Sequence, residues 1–129
     1  MEAKIYKDIV RCESKMAISE VAKLIRDNKV RHVYVVDNNK LVGVVGGLDI
    51  NNKVVAEGKD PKKVSAKDIM NKAVFVKNDQ ELEYAYAVMR NFNTFVCPIV
   101  NGNEELIGYY KFADVCEAIN EKINGGGVK

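Results

Sequence analysis

The chain has 129 residues, of which 47% are hydrophobic and 29% are charged, and its formal net charge is +2. These values fit one domain of ordinary size with a proper core, and they exclude the broad basic field that marks most nucleic-acid-binding proteins. Three widely spaced cysteines and a single histidine argue against a disulfide framework, a zinc site and multi-histidine metal chemistry.

The first half predicts a helix, two strands and a second, weaker helix. Ile18, Val21, Ala22 and Ile25 recur at helical spacing on one face. Two β-branched runs in "HVYVVDNNKLVGVV" lie on either side of an Asp-Asn-Asn turn, which is typical of a β-hairpin. The asparagine-rich stretch "LDINNKVVAEG" predicts the weaker helix.

A polar linker at residues 57–66 leads into a short helix, "AKDIM", which Ser65 and Asp68 are expected to cap as a capping box. In the second half "AVFV" predicts a strand, and Asn78 or Asp79 is expected to cap the following helix. That helix carries one apolar stripe, formed by Leu82, Ala85, Tyr86, Met89 and Phe92.

Two more strands surround an Asn-Gly-Asn turn in "FVCPIVNGNEELIGYY". Pro98 has no N–H, so its strand is expected at a sheet edge, or it loses one ladder hydrogen bond there. "FADVCEAINEKI" predicts the last helix, and we expect residues 124–129 to be a disordered tail.

The two halves repeat one apolar pattern. Residues 4–37 match residues 68–101 without a gap, and after one inserted residue Gly43 and Asp49 match Gly108 and Asp114. Each half therefore reads strand, helix, strand, strand, helix. We predict an α/β (α+β) fold with repeat 1 at residues 1–56, the linker at residues 57–66 and repeat 2 at residues 67–123.

With this pattern the chain resembles the tandem CBS domain, or Bateman module. "VSAKDIMNKAVFV" is similar to the family's opening segment, "AVMRNFNTFVCPIV" to its helix and proline-containing strand, and "ELIGYYKFADV" to its closing strand and helix start. In the first half "VRHVYVVD" and "LVGVV" are the most typical pieces. The resemblance implies two β-α-β-β-α CBS repeats packed sheet to sheet with pseudo-twofold symmetry. It also implies clefts that hold AMP, ADP, ATP or S-adenosylmethionine.

The family's closing motif runs glycine, two apolar residues, Thr or Ser, two further residues and an Asp that receives ribose hydroxyls. The hydroxyl position of this motif holds Gly46 in the first copy and Lys111 in the second, so the phosphate contact is altered in both. The resemblance implies ligand-binding residues in both repeats. In repeat 1 they are Asp8, Ile9, Val10, Arg31, His32, Tyr34, Gly46 and Asp49, and in repeat 2 they are Lys72, Ala73, Val74, Thr94, Phe95, Pro98, Lys111 and Asp114.

Each main assignment has a structural alternative. Asp49 and Asp114 either receive a ribose diol or stabilise helix N-termini, where acids are favoured. Lys111 either meets a phosphate as a point charge or is solvated. Gly46 and Gly47 either offer backbone donors to an anion or form a tight turn that needs positive φ.

We therefore expect a cytoplasmic regulatory module that requires no cofactor, binds an adenosine-containing ligand and signals to a regulated enzyme or transporter in another chain. We expect a homodimer without membrane association. Nucleic acid is not an expected partner, because a basic stretch as short as "KDPKK" is more often a solvated linker than a contact to a nucleic-acid backbone. The sequence shows no paired acids, no nucleophile and no set of metal ligands, so it does not predict an enzyme. The alternative is a ligand-free protein-interaction or dimerisation module. It is favoured by the missing hydroxyls and by aromatic residues such as Tyr109 and Tyr110, of which one would face outward.

Overall fold

A computed structural model describes residues 2–127, which form two compact units. The continuous unit is Ile9–Ala73. The composite unit combines residues 2–8 with residues 74–127 of the described chain. Each unit contains one three-stranded mixed sheet with helices, so the predicted α/β class is confirmed.

The continuous unit is built around a central strand, β2. In chain order its elements are β1 (Arg11–Cys12), α1 (Ile18–Asn28), β2 (His32–Asp37), β3 (Lys40–Gly46), α2 (Gly47–Ile50), a π-helical segment (Asn51–Val55) and α3 (Ala66–Ile69). β2 is parallel to β1 and antiparallel to β3. Four successive residues of β2, from Val33 to Val36, are buried, which explains the unbroken apolar run in the sequence.

Two local predictions in the continuous unit are confirmed. The turn between β2 and β3 contains Asn38 and Asn39, whose φ angles of 52° and 68° are of the kind that a tight hairpin turn requires and that asparagine tolerates. The capping box of α3 is also present, because the Ser65 N–H donates to Asp68 Oδ2 at 2.9 Å.

The composite unit repeats the order strand, helix, strand, strand, helix around its own central strand, β5. They are β4 (Val76–Lys77), α4 (Leu82–Asn91), β5 (Val96–Val100), β6 (Leu106–Lys111) and α5 (Phe112–Gly127). β5 is parallel to β4 and antiparallel to β6. Ala85 and Met89 of α4 are buried with Cys97 and Ile99 of β5 in one hydrophobic cluster.

Several boundaries in the composite unit differ from the predictions. The Asn78 N–H donates to Val100 O and so continues the pairing after β4, which leaves Glu81 as the residue before α4, without a side-chain cap. The predicted capping by Asn78 or Asp79 is therefore wrong. Phe92 follows the end of α4 and is 62% exposed, because the helix stops before the predicted stripe is complete.

The C-terminal helix is longer than predicted. α5 continues to Gly127, so residues 124–127 of the expected disordered tail are helical. Once a helix is formed, each added residue contributes one more hydrogen bond, which offsets part of the cost of glycine. Residues 128 and 129 of the predicted tail lie outside the described residues.

Pro98 lies in the central strand, so the prediction of an edge strand is wrong and the alternative, a lost ladder bond, applies. Pro98 is opposite Tyr109, but the Tyr109 N–H and carbonyl both pair with Tyr6 on the other side of β6. At the matching position of the continuous unit, the Tyr34 N–H donates to Val10 O at 3.0 Å. Proline has no N–H for the corresponding bond, and the ladder tolerates this single loss.

A short segment extends each sheet beyond its third strand. In the composite unit Tyr6 pairs antiparallel with Tyr109, and in the continuous unit Asn71 pairs antiparallel with Val44. Each pair exchanges two backbone hydrogen bonds of 2.9 Å. We call the residues around Tyr6 and around Asn71 the two bridging segments.

The repeated glycines of the closing motif make room for these bridging segments. A Cβ atom at Gly108 would lie 2.6 Å from the Tyr6 carbonyl oxygen. A Cβ atom at Gly43 would lie 2.6 Å from Met70 Sδ and 3.0 Å from the Asn71 carbonyl oxygen. Glycine is therefore required at both positions by the close approach of another stretch of backbone.

The compact units and the predicted sequence repeats are different divisions of the chain. Residues 2–8 pack with the second half, whereas residues 57–73 pack with the first half. The repeats describe duplicated sequence, and the units describe which residues pack together.

Candidate functional site

In the composite unit, Asp114 lies in the first turn of α5, directly after β6. The Tyr6 hydroxyl donates to Asp114 Oδ2 at 2.7 Å. The Tyr6 ring stacks on Tyr109 with 5.2 Å between centroids and 23° between planes, and the Tyr109 hydroxyl donates to Asp8 at 3.0 Å. We call Tyr6, Asp8, Tyr109, Lys111 and Asp114 the Asp114 cluster.

The Tyr6 ring also attracts two ammonium groups. Lys111 Nζ lies 4.4 Å and Lys4 Nζ lies 4.6 Å from the ring centroid, within the range of cation–π attraction. The structure thus gives Lys111 a partner that neither sequence alternative anticipated. Tyr110, by contrast, packs against the hydrophobic core, so the prediction that one residue of this tyrosine pair faces inward is confirmed.

The protonation state of Tyr6 follows from these contacts. The hydrogen bond to Asp114 raises the pKa of Tyr6 above its usual value, and burial and the Asp114 charge raise it further. Removing the proton would break the bond and place a second negative charge beside the carboxylate. Tyr6 is therefore a hydrogen-bond donor across the neutral pH range.

In the continuous unit, Asp49 occupies the corresponding junction between β3 and α2 and is held by several groups. Its Oδ2 accepts a hydrogen bond from the Gly46 N–H at 2.8 Å, which stabilises the N-terminus of α2. Its Oδ1 accepts from Asn71 Nδ2 at 2.8 Å and lies 3.6 Å from Lys53 Nζ. Lys53 also donates to Ile69 O at 2.9 Å and to Asn71 Oδ1 at 2.8 Å. We call Asp49, Lys53 and Asn71 the Asp49 network.

The two acids thus share one local arrangement. Each lies in the first turn of a helix that follows the third strand of its unit. Each accepts a hydrogen bond from the side chain that the bridging segment presents, which is Asn71 for Asp49 and Tyr6 for Asp114. Asp49 also stabilises a helix N-terminus, as the structural alternative states, because its carboxylate accepts a hydrogen bond from the Gly46 N–H.

Gly46, which occupies the hydroxyl position of the first closing motif, does not form a tight turn. Gly46 has a φ angle of −105°, so the positive-φ alternative is wrong. A Cβ atom there would lie 3.0 Å from His32 Cδ2, so glycine leaves room for the imidazole across the β2–β3 pair. The Gly47 N–H donates to Arg31 O at 3.3 Å, which uses one of the donors that was expected to face an anion.

The predicted ligand-binding sets are divided between the units. Asp8 lies in the composite unit, whereas the other seven residues predicted for repeat 1 lie in the continuous unit. Lys72 and Ala73 lie in the continuous unit, whereas the other six residues predicted for repeat 2 lie in the composite unit. The physical reason is that each bridging segment pairs with a hairpin that is distant in sequence.

The remaining predicted residues differ widely in exposure. In the continuous unit Tyr34 is buried, Ile9 and Val10 are half-buried, and Arg31 and His32 are exposed. In the composite unit Val74 is half-buried, Pro98 is buried and Phe95 is 68% exposed, with its ring in a T-shaped pair with Phe112. Among the described residues, the Thr94 hydroxyl is a buried oxygen that has no hydrogen-bond partner.

Sequence reasoning missed the three side chains that contact the acids, Tyr6, Lys53 and Asn71. The gap-free alignment of the opening segments placed Tyr6 opposite Met70, one residue away from its structural counterpart. A signal was present, because Tyr6 and Asn71 have the same spacing as Asp49 and Asp114.

Two units of this kind, each with an acid at its strand-to-helix junction, define a duplicated α/β module. The family model for the CBS domain matches residues 5–55 and residues 66–121. The chain therefore belongs to the CBS domain family and is a CBS-pair regulatory module. CBS-pair proteins are generally regulatory rather than catalytic.

A sequence relative and two solved structures illustrate the similarity. The uncharacterized protein MK0525 of Methanopyrus kandleri is 29% identical over 113 residues, which are 86% of this chain. The chain spans 58% of the length of this curated relative. The CBS domain protein PAE2072 from Pyrobaculum aerophilum, solved in complex with AMP, is 27% identical with a TM-score of 0.74, and the match covers 91% of this chain and 92% of that one.

The second structure is the cytosolic domain of the Mg²⁺ channel MgtE in complex with ATP. It is 25% identical with a TM-score of 0.75, and the match covers 88% of this chain and 46% of that one.

Residues 2–127 contain neither a candidate metal site nor a candidate membrane-spanning helix. That part of the chain places no three His, Cys, Asp or Glu side chains together where they would hold a metal ion. It also contains no helix with the length and apolar character needed to cross a bilayer.

Proposed function

We propose that this module binds an adenosine-containing ligand, with a ribose diol received by Asp49 or Asp114, and signals to a partner protein. The observation that carries the proposal is the shared placement of the two acids at matching strand-to-helix junctions. A carboxylate accepts two hydrogen bonds from a cis-diol, and such charge-assisted bonds are strong. The AMP and ATP complexes of the two structural neighbours support the choice of ligand class.

The other predicted contacts form part of the same proposal. Adenine would pack on the apolar residues near the opening strands, such as Val10 and Val74. Phosphate recognition is expected to be weaker than in family members with the Thr or Ser, because Gly46 and Lys111 replace that hydroxyl. Lys111 is the cation near Asp114 that offers a point charge to a phosphate.

Isothermal titration calorimetry with AMP, ADP, ATP and S-adenosylmethionine tests the proposal, together with thermal unfolding. A ligand at one hundred times its Kd should stabilise the protein by about 2.7 kcal/mol. The double variant Asp49→Asn/Asp114→Asn should lose the binding heat and the thermal shift. No heat and no shift with any of the four ligands at millimolar concentration would refute the proposal for the wild-type protein.

Asp68→Asn is a matched control. Asp68 accepts the Ser65 N–H in a capping box, as Asp49 accepts the Gly46 N–H, but it belongs to neither acid site. It reports what the loss of a capping carboxylate costs in stability. It should therefore lower the unfolding temperature without changing ligand affinity, and a loss of affinity in Asp68→Asn would show that the double variant acts through stability.

A second candidate function is a ligand-free protein-interaction or dimerisation module. The observation that favours it is the exposure of large apolar side chains, of which Phe92 is 62% and Phe95 is 68% exposed. It predicts a stable dimer whose sedimentation is unchanged by AMP and the other three ligands. A monomer at high concentration in analytical ultracentrifugation would contradict it.

The proposal includes the setting in which the module acts. We place it in the cytoplasm, as a homodimer that regulates an enzyme or transporter in another chain, without nucleic acid as a partner. The unpaired state of Cys12, Cys97 and Cys116 supports a reducing compartment. Native mass spectrometry of freshly purified protein tests the dimer, and a monomer peak would contradict it.

A further inference from the structure

In the composite unit, Tyr6 occupies one of the acceptor sites that Asp114 would offer to a ribose. Its hydroxyl donates to Asp114 Oδ2 at 2.7 Å. Among the described residues, this is the one hydrogen bond that the Asp114 carboxylate accepts. Because a carboxylate oxygen can accept two hydrogen bonds, the Tyr6 hydroxyl fills one of the acceptor sites on Oδ2, and a diol that approaches Oδ2 from the same side must replace it.

The backbone of the bridging segment is held independently of the Tyr6 side chain. The segment is held by its backbone, because the Tyr6 N–H and carbonyl each bond with Tyr109 at 2.9 Å. The ring is partly exposed and is held by its stack on Tyr109 and by the ammonium groups of Lys4 and Lys111. Rotation about χ1 would release these contacts and leave the backbone pairing unchanged, and such rotations are fast.

Asp49 is held much more firmly than Asp114. Its two oxygens accept from the Gly46 N–H and Asn71 Nδ2, and Lys53 lies 3.6 Å away. Lys53 and Asn71 are themselves bonded to each other. Opening this site would break a helix cap and several bonds of one network, whereas opening the Asp114 site breaks one hydroxyl bond and moves one ring.

We propose that Tyr6 controls access to Asp114 by competing with the ribose diol for the same carboxylate, so that the first ligand binds at Asp114 only when Tyr6 rotates away. This inference rests on the proposed function. It adds that the Asp114 site is filled first and that the Tyr6 hydroxyl opposes binding there. Rotation of Tyr6 also removes the ring partner of Lys111, whose ammonium then becomes available to the ligand's phosphate. AMP should therefore bind with a stoichiometry of one per chain before any second site fills.

The test compares two tyrosine variants with AMP as the probe. Tyr6→Phe keeps the ring but removes the competing hydroxyl, so AMP should bind about tenfold more tightly, equivalent to about 1.4 kcal/mol. Tyr110→Phe is the matched control, because it removes a hydroxyl from a neighbouring residue of β6 that packs against the hydrophobic core and lies outside the Asp114 cluster. Equal or weaker AMP binding by Tyr6→Phe, or an equal gain in Tyr110→Phe, would overturn the proposal.

A spectroscopic measurement at neutral pH follows Tyr6 itself. In protein with ¹³C-labelled tyrosine rings, the Tyr6 resonance is identified by its absence in Tyr6→Phe. Saturating AMP and the variant Asp114→Asn should each shift this resonance, because both take the carboxylate acceptor from the hydroxyl. Binding of AMP without a shift would overturn the role of Tyr6 while the proposed function stands.

The two proposals fail in different ways. If AMP, ADP, ATP and S-adenosylmethionine bind neither the wild-type protein nor Tyr6→Phe, the proposed function is wrong and this inference with it. If a ligand binds and Asp49→Asn abolishes the binding while Asp114→Asn does not, this inference is wrong while the proposed function stands.

Discussion

Replacing Gly108 with alanine should loosen the N-terminal bridging segment from β6. A Cβ atom at this position would lie 2.6 Å from the Tyr6 carbonyl oxygen and 2.7 Å from Ile5 Cγ2. The nearest atom belongs to the backbone, so a side-chain rotation cannot relieve the clash, and the segment must move away from the strand. The Tyr6–Tyr109 pairing and the hydroxyl bond to Asp114 would be lost with it.

The cost is set by the bonds that this movement breaks. Two backbone hydrogen bonds of 2.9 Å join Tyr6 and Tyr109, and each contributes about 0.5–1.5 kcal/mol net. Alanine offsets about 0.4–1 kcal/mol of this loss by restricting the unfolded chain. We expect Gly108→Ala to lower the free energy of unfolding by about 1–2 kcal/mol. Gly43→Ala should cost less, because one of its clashes is with the flexible Met70 side chain.

Urea unfolding measures the overall loss, and amide hydrogen exchange at Tyr6 and Tyr109 locates it. Gly102→Ala is the control in the same unit, because no atom lies within 4 Å of a Cβ atom built there. Faster exchange of both amides in Gly108→Ala but not in Gly102→Ala is the expected result. If both amides in Gly108→Ala remain as protected as in the wild-type protein, the packing argument for the repeated glycine is refuted.

Two further predictions concern reactivity and pH. Burial raises the pKa of Cys97 to about 12, and burial with the nearby Asp37 charge raises that of Cys12 to about 11, whereas Cys116 is partly exposed. Iodoacetamide at about pH 8 should therefore label Cys116 first, and peptide mass spectra showing early labelling of Cys97 would contradict this. Hydrogen bonds from Ser14 hold the pKa of Asp37 below its usual value, so the associated stability is present above the unfolded pKa of about 4 and is lost as the pH falls through the folded value. In Asp37→Asn the free energy of unfolding should therefore fall less steeply as the pH drops below about 4. An unchanged pH dependence would show that Asp37 contributes no such stability.

Features that depend on neighbouring residues could be predicted from the sequence. The hairpin at Asn38 and Asn39 follows from the tolerance of asparagine for positive φ, and the capping box of Ser65 and Asp68 follows from a spacing of three residues. The duplicated apolar pattern was sufficient for the α/β class and the family, and it also placed both acids in the first turn of a helix.

Features that depend on pairing between distant residues could not be predicted in this way. Pro98 has the local chemistry of an edge residue, yet its strand is central because β4 and β6 lie on either side of it. Gly46 is of the residue type that positive-φ turns favour, yet its backbone is extended and it makes room for His32. In both cases a neighbour that is remote in sequence determines the environment, and local preference is too weak to oppose it.

The candidate site shows the same division most clearly. The sequence by itself determined that Asp49 and Asp114 begin helices after matching strands, because helix and strand periodicity are local properties. The tertiary structure alone decided that the side chains of Asn71 and Tyr6 reach these acids. Tyr6 and Asp114 are 108 residues apart, and they meet because Gly108 lets the bridging segment pack closely against β6. Contacts of this kind depend on the shapes of two remote surfaces, which no short stretch of sequence encodes.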